Sequence, residues 1–195
     1  MFKGATRFNG YLYYWNVAEV TTMEGMFRDA TSFNRDLSDW NVAKVTTMKE
    51  MFKGATRFNG YLYYWNVAEV TTMKEMFDGA SSFNQPLRRW NVGNVITMEG
   101  MFKGATSFNQ AFRWYSSYYG YIYWDVRRVT SMAGMFDGAS SFNQYLDAWN
   151  VASVTTMEGM FKGATSFDRD LSDWNVAKVK TMEGMFKGAT RFNGY

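Results

Sequence analysis

The 195-residue chain contains neither histidine nor cysteine. That removes the commonest general base and metal ligand, together with any disulfide and any thiolate nucleophile. The side chains left to do chemistry are aromatic, basic and acidic, and 13 of them are tyrosines. Tyr11, Tyr13 and Tyr14 form one group, and Tyr61, Tyr63 and Tyr64 a second. A third lies in the segment Ala111 to Trp124, AFRWYSSYYGYIYW, with Arg113, Trp114, Tyr115, Tyr118 and Tyr119. Arg88, Arg89 and Tyr145 occur between and beyond these groups. Tyrosine offers rigid, amphipathic contact area at low entropic cost, which is the chemistry of recognition. Asp36 with Asp39, and Asp170 with Asp173, are carboxylate pairs of the sort general acid–base catalysis uses. No buried apolar environment accompanies them, so they read as solvated charges. The chain shows no nucleophile–base pair, no metal cluster and no phosphate-binding glycine loop. A protein without catalytic activity or cofactor is expected.

What positions these residues is a repeat. Units of 25 residues begin at Met1, Met26, Met51, Met76, Met101, Met135, Met160 and Met185. The fifth unit is nine residues longer than the others, and the eighth runs only from Met185 to Tyr195. Unit positions 2 and 8 are always Phe, and position 15 is Trp in every unit that reaches it. Val17, Val20 and Met23 and their equivalents complete an apolar set able to stack into one continuous core. One unit could not bury enough of this surface alone, so neighbours must supply the rest. Position 9 is Asn except at Asp168, and position 16 is Asn except at Asp125. Asn at fixed turns satisfies backbone groups that helices and strands cannot reach.

Spacing gives the expected local structure. Val20, Met23, Met26, Phe27 and Ala30 recur at three and four residues, the helical rhythm. Thr21 with Glu24 matches a capping box, and Gly54 and its equivalents match a helix end. A short helix near unit positions 22–28 is therefore predicted. Positions 9–15 read as a short parallel strand with Leu12 inward and positions 11 and 13 outward. The whole chain, 1–195, is expected to be one leucine-rich-repeat-like solenoid of seven full units and one partial unit. A nine-residue insertion falls near 111–119, with Ile122 in the Leu role and Trp124 in the Trp role.

The strings VTTMEGMFKGATSFN and DLSDWNVAKVTTM resemble the 25-residue repeats of mycoplasma-type surface lipoproteins. That family is similar to the BspA-like leucine-rich repeats of bacterial and protozoan surfaces. The resemblance covers essentially the whole chain. It implies an extracellular or cell-surface setting and a role in adhesion or recognition, and it brings no catalytic residues. The aromatic outward positions and the long fifth unit depart from the family pattern.

The tyrosine-bearing strand face and the inserted segment are thus the expected ligand-binding surface, for a protein or glycan partner. A formal charge of +3 is too balanced to call for nucleic acid. No apolar run approaches the roughly 20 residues of a membrane span. Two alternatives stay open: carbohydrate binding by the tyrosines, and a structural fibre formed head to tail. The second arises because both ends carry framework sequence without a polar cap, as in a fragment or in a chain whose ends another copy covers.

Overall fold

A computed structural model describes residues 1–194; Tyr195 lies outside the described residues. Backbone hydrogen bonds join each unit to the next. Met23, Gly25, Phe27 and Asp29 donate their N–H groups to the carbonyls of Thr47, Lys49, Met51 and Lys53, at 2.7–3.0 Å. The same pattern passes from unit to unit, as from Phe77 to Met101 and from Phe136 to Met160. Parallel bridges run through Thr22, Thr47, Thr72, Thr97, Ser131, Thr156 and Thr181. Successive units therefore lie directly on one another.

The residues between these donors turn back on their own unit. Met26, Arg28 and Ala30 donate to Met23, Gly25 and Phe27, each three residues earlier. Two positions per unit have positive φ: Gly25 at 58° and Gly54 at 69° represent the two columns. These left-handed residues come four apart, so no helix can run through the segment. The expected helix near positions 22–28 is accordingly absent, and among the described residues no helix forms. The apolar spacing is met instead by alternating turns. The expected strand over positions 9–15 does not form in the regular units either, and parallel pairing sits at position 22. Asp29, Glu50 and Glu75 occupy left-handed positions without being glycine, which costs about 1–2 kcal/mol each.

The core is a set of columns. Phe rings at position 2 stack 5.4–5.7 Å apart along the chain, and those at position 8 stack 5.8–6.1 Å apart. Leu12, Leu37, Leu62, Leu87 and Leu146 point inward and are buried. Trp40, Trp65, Trp90, Trp124 and Trp174 each satisfy the ring N–H on the Leu carbonyl of the preceding unit, as Trp90 Nε1 does on Leu62 O at 2.9 Å. No polar or charged residue is buried among those described. No helix is long and apolar enough to cross a membrane.

The Asn columns complete the frame. Asn34 donates its N–H to Asn9 Oδ1, Asn59 to Asn34 and Asn84 to Asn59, all at 2.9–3.0 Å. The side chain acts only as an acceptor here, so Asp168 serves as well, accepting from Asn193 at 3.0 Å. At position 16 each Asn accepts from the N–H two residues on, and Asp125 does the same for Arg127 at 3.2 Å. Replacing Asn59 with Ala leaves the Asn84 N–H unpaired and should cost about 1–3 kcal/mol in urea unfolding. Asn59→Asp should stay within about 0.5 kcal/mol of wild type. Equal losses from the two changes would show that the column does not work through its acceptor oxygen.

Candidate functional site

Unit positions 10, 11, 13 and 14 flank the inward residue at position 12, and their side chains lie on the outer face. This is where the tyrosines fall. Tyr11, Tyr13, Tyr14, Tyr61 and Tyr64 are exposed, while Tyr63 is half-buried. Tyr11 packs on Tyr13 at 6.1 Å, Tyr13 on Tyr14 at 4.0 Å, and Tyr63 edge-on to Tyr64 at 5.0 Å. The neighbouring Tyr14 hydroxyl raises the pKa of the Tyr13 phenol.

The fifth unit adds a β-hairpin to this face. Strand β1, Arg113–Ser116, pairs antiparallel with β2, Gly120–Tyr123. Ser116 Oγ accepts from the N–H groups of Tyr118 and Tyr119 at 3.3 Å, and Gly120 takes a φ of 72°. Tyr118 and Tyr119 project from the tip, 92% and 83% exposed. The hairpin springs from between Phe112 and Trp124. Phe112 is buried and accepts the Trp124 N–H at 3.1 Å, as Leu87 accepts that of Trp90 at 3.0 Å. Phe112, not Ile122, therefore takes the Leu role. Ile122 pairs with Trp114 in the hairpin.

Strand alternation sends the hairpin's two faces to different neighbours. Trp114 and Ile122 share one face, and the Trp114 ring meets Arg89 of unit four at 5.3 Å. Arg113 and Tyr121 share the other face. Arg113 stacks on Tyr121 at 5.1 Å and on Tyr145 of unit six at 4.5 Å. Arg89 also lies 5.3 Å from the Tyr63 ring, and Arg88 5.5 Å from it. Two further contacts end the row: Arg35 on Tyr11 at 4.1 Å, and Arg169 on Tyr145 at 4.2 Å. Arg35, Arg169 and Tyr121 lie outside the residues singled out in the sequence. Their signal is a spacing of 24 residues, Tyr11 to Arg35 and Tyr145 to Arg169, which brings position 10 of one unit beside position 11 of the unit before. Tyr61, Tyr118 and Tyr119 stand on the face without joining the row.

Ion pairs form on other parts of the surface: Lys49 with Glu24 at 2.8 Å, Lys74 with Glu99 at 2.8 Å, Lys53 with Asp78 at 3.0 Å, and Arg28 with Glu50. Burial pushes the Glu75 carboxyl up, but its bond to the Lys53 ammonium together with the positive charges of Lys53, Lys74 and Lys103 outweighs this and holds it below the usual range. Among the described residues, no ion pair engages Arg35, Arg88, Arg89, Arg113 or Arg169. Asp36 and Asp170 accept from the N–H groups of Ser38 and Ser172 at 2.8 Å, so these carboxylates shape turns. The Ser172 N–H draws the Asp170 carboxyl below its ordinary range. Among the described residues no group of acidic side chains is arranged to hold a metal ion.

The family described as "Mycoplasma protein of unknown function, DUF285" matches residues 1–68, 40–119 and 120–195, and the chain belongs to that family. No curated protein and no solved structure matches it.

Because the hairpin grows from a turn outside the core columns, it should be separable from the fold. Replacing Arg113–Tyr123 with the Ser-Asp of unit two should move Tm by less than about 4 °C, the equivalent of roughly 1 kcal/mol at this size. Loss of a cooperative thermal transition would show instead that the hairpin helps hold the units together.

Proposed function

We propose that this member of a mycoplasma repeat family is a non-enzymatic recognition module of the cell surface or its surroundings. On this reading the stacked units form a leucine-rich-repeat-like solenoid akin to the BspA-like repeats. The solenoid displays the tyrosine–arginine face and the hairpin to a macromolecular ligand. The observation that carries the proposal is the row of arginines and exposed aromatics running from Tyr11 to Arg169 across seven units.

Three features support it. Tyr, Trp and Arg are the residues in which binding energy concentrates at protein interfaces. Exposed aromatic surface is unfavourable in water unless a partner covers it, and here Tyr11, Tyr14, Tyr64, Tyr115, Tyr118 and Tyr119 are all more than half exposed. The frame beneath is built from repeated core and backbone contacts that do not involve these side chains, so the face is free to vary without loss of fold. The lack of histidine and cysteine and the turn-forming duty of Asp36 and Asp170 speak for binding rather than catalysis.

Binding of the fluorescently labelled chain to cultured epithelial cells tests this. The wild-type protein should bind saturably. Tyr63→Ser with Tyr64→Ser should weaken binding by about tenfold or more, the loss expected of about 1.4 kcal/mol at a central aromatic pair. Wild-type protein that fails to bind, or a double variant that binds equally well, would refute the role of this face.

A further inference from the structure

We infer that the hollow between Tyr63 of unit three and the hairpin of unit five is a subsite for an anionic sugar residue, one carrying a carboxylate or a sulfate. The inference rests on the recognition role of the face and names its ligand class.

The hollow measures about 330 Å³ and is lined by Tyr63, Arg88, Arg89, Arg113, Trp114 and Tyr115. Arg88 and Arg89 both lie against Tyr63 with no carboxylate in the lining, while the Arg113 guanidinium is turned onto Tyr121 and Tyr145 on the other face of the hairpin. The nearest acid of the adjoining hollow, Asp125, is already held by Arg127 through two side-chain bonds of 2.9 and 2.7 Å. Its carboxyl is drawn below the usual range by that partner. Arg88 and Arg89 carry positive charge that no ion pair among the described residues neutralises.

Their geometry suits a small anion. The Arg89 guanidinium lies 5.3 Å from the ring of Tyr63 and 5.3 Å from that of Trp114. Among the described residues no ion pair engages the N–H groups of Arg88 or Arg89. Edge-on guanidinium is what binds carboxylate and sulfate oxygens in pairs.

The surroundings favour a sugar over an extended polyanion. Units four and five carry arginines on this face without acids beside them, whereas Arg35 and Arg169 are each followed by an aspartate. On the same face unit two carries Asp36 and Asp39, unit six Asp147, and unit seven Asp170 and Asp173. A chain charged at every residue, such as a nucleic acid, would meet these carboxylates on both sides of the arginines. A glycan with one acidic residue among neutral ones would not, and its hydroxyls could donate to them. Tyr61, Tyr64 and Tyr115 flank the hollow with exposed rings against which the apolar face of a sugar ring can lie.

Calorimetric titration of the full chain tests the subsite. The probes are sialyllactose for a carboxylate, 6-sulfolactose for a sulfate, lactose for a neutral sugar, sodium sulfate and a single-stranded oligothymidine. At least one acidic sugar should bind about tenfold or more tighter than lactose, and whichever does so identifies the anion. That binding should weaken severalfold between about 50 and 300 mM NaCl as the charges are screened. The exposed pair Arg88→Gln with Arg89→Gln should lower it by about tenfold with Tm unchanged, since each group loses a charge-assisted bond. Equal affinity for lactose would overturn the inference. So would sulfate ion binding as tightly as the sulfated sugar, oligothymidine binding more tightly than either acidic sugar, or affinity unaffected by the arginine changes. Cell binding that is lost with Tyr63→Ser and Tyr64→Ser but survives the arginine changes would sink this subsite while leaving the recognition role intact.

Discussion

Everything in this molecule depends on where alternate backbone N–H groups point between position 23 of one unit and position 4 of the next. In a helix each would bond back to its own chain four residues earlier. Here Met23, Gly25, Phe27 and Asp29 bond forward to the next unit, while the residues between them close tight turns. The left-handed residues at Gly25 and Gly54 and their equivalents impose this alternation. Once it is set, the 25-residue period follows, because a unit of any other length would shift its donors off the acceptors above. The single departure, unit five, keeps the rule by sending its nine extra residues out of the stack as a hairpin anchored at Phe112 and Trp124.

Register also explains how so apolar a chain remains polar-satisfied. The Trp ring N–H finds the preceding Leu carbonyl, and the position-9 amide oxygen finds the next unit's N–H. Threonines bond across units, as Thr46 Oγ1 does to Thr21 O at 3.1 Å. With these needs met by columns that barely vary, positions 10, 11, 13 and 14 carry no structural duty that restricts them to one residue type. That freedom lets one unit present Tyr61, Tyr63 and Tyr64, the next Arg88 and Arg89, and another Asp170 and Asp173. The side chains of that face therefore vary from unit to unit without disturbing the columns on which the fold depends.

The sequence discloses these layers unequally. The inward residues were readable from invariance between units, because a stacked core demands the same residue at the same place. The expected helix does not form: Val20, Met23, Met26, Phe27 and Ala30 suit a helix and a chain of turns equally. The discriminating mark is the pair of glycines four apart in EGMFKG, Gly100 and Gly104, both left-handed, whereas the column of Gly54 and Gly104 by itself matches a helix end. Leu12 inward and Tyr13 outward were legible from position, although the strand expected to hold them does not form. Ile122 was assigned by its closeness to Trp124, but hairpin pairing separates it from the core and gives its place to Phe112. Arg35 and Arg169 escaped notice because their aromatic partners lie one unit back. Such contacts appear only when columns are read across units rather than along one.

The alternation of donors can be measured directly by NMR couplings transmitted across hydrogen bonds. The amide nitrogens of Phe52, Phe77 and Phe102 should couple to the carbonyl carbons of Met76, Met101 and Met135 in the following units. Couplings to Met48, Met73 and Met98, four residues earlier in the same segments, would mean that a helix forms there and would contradict the account.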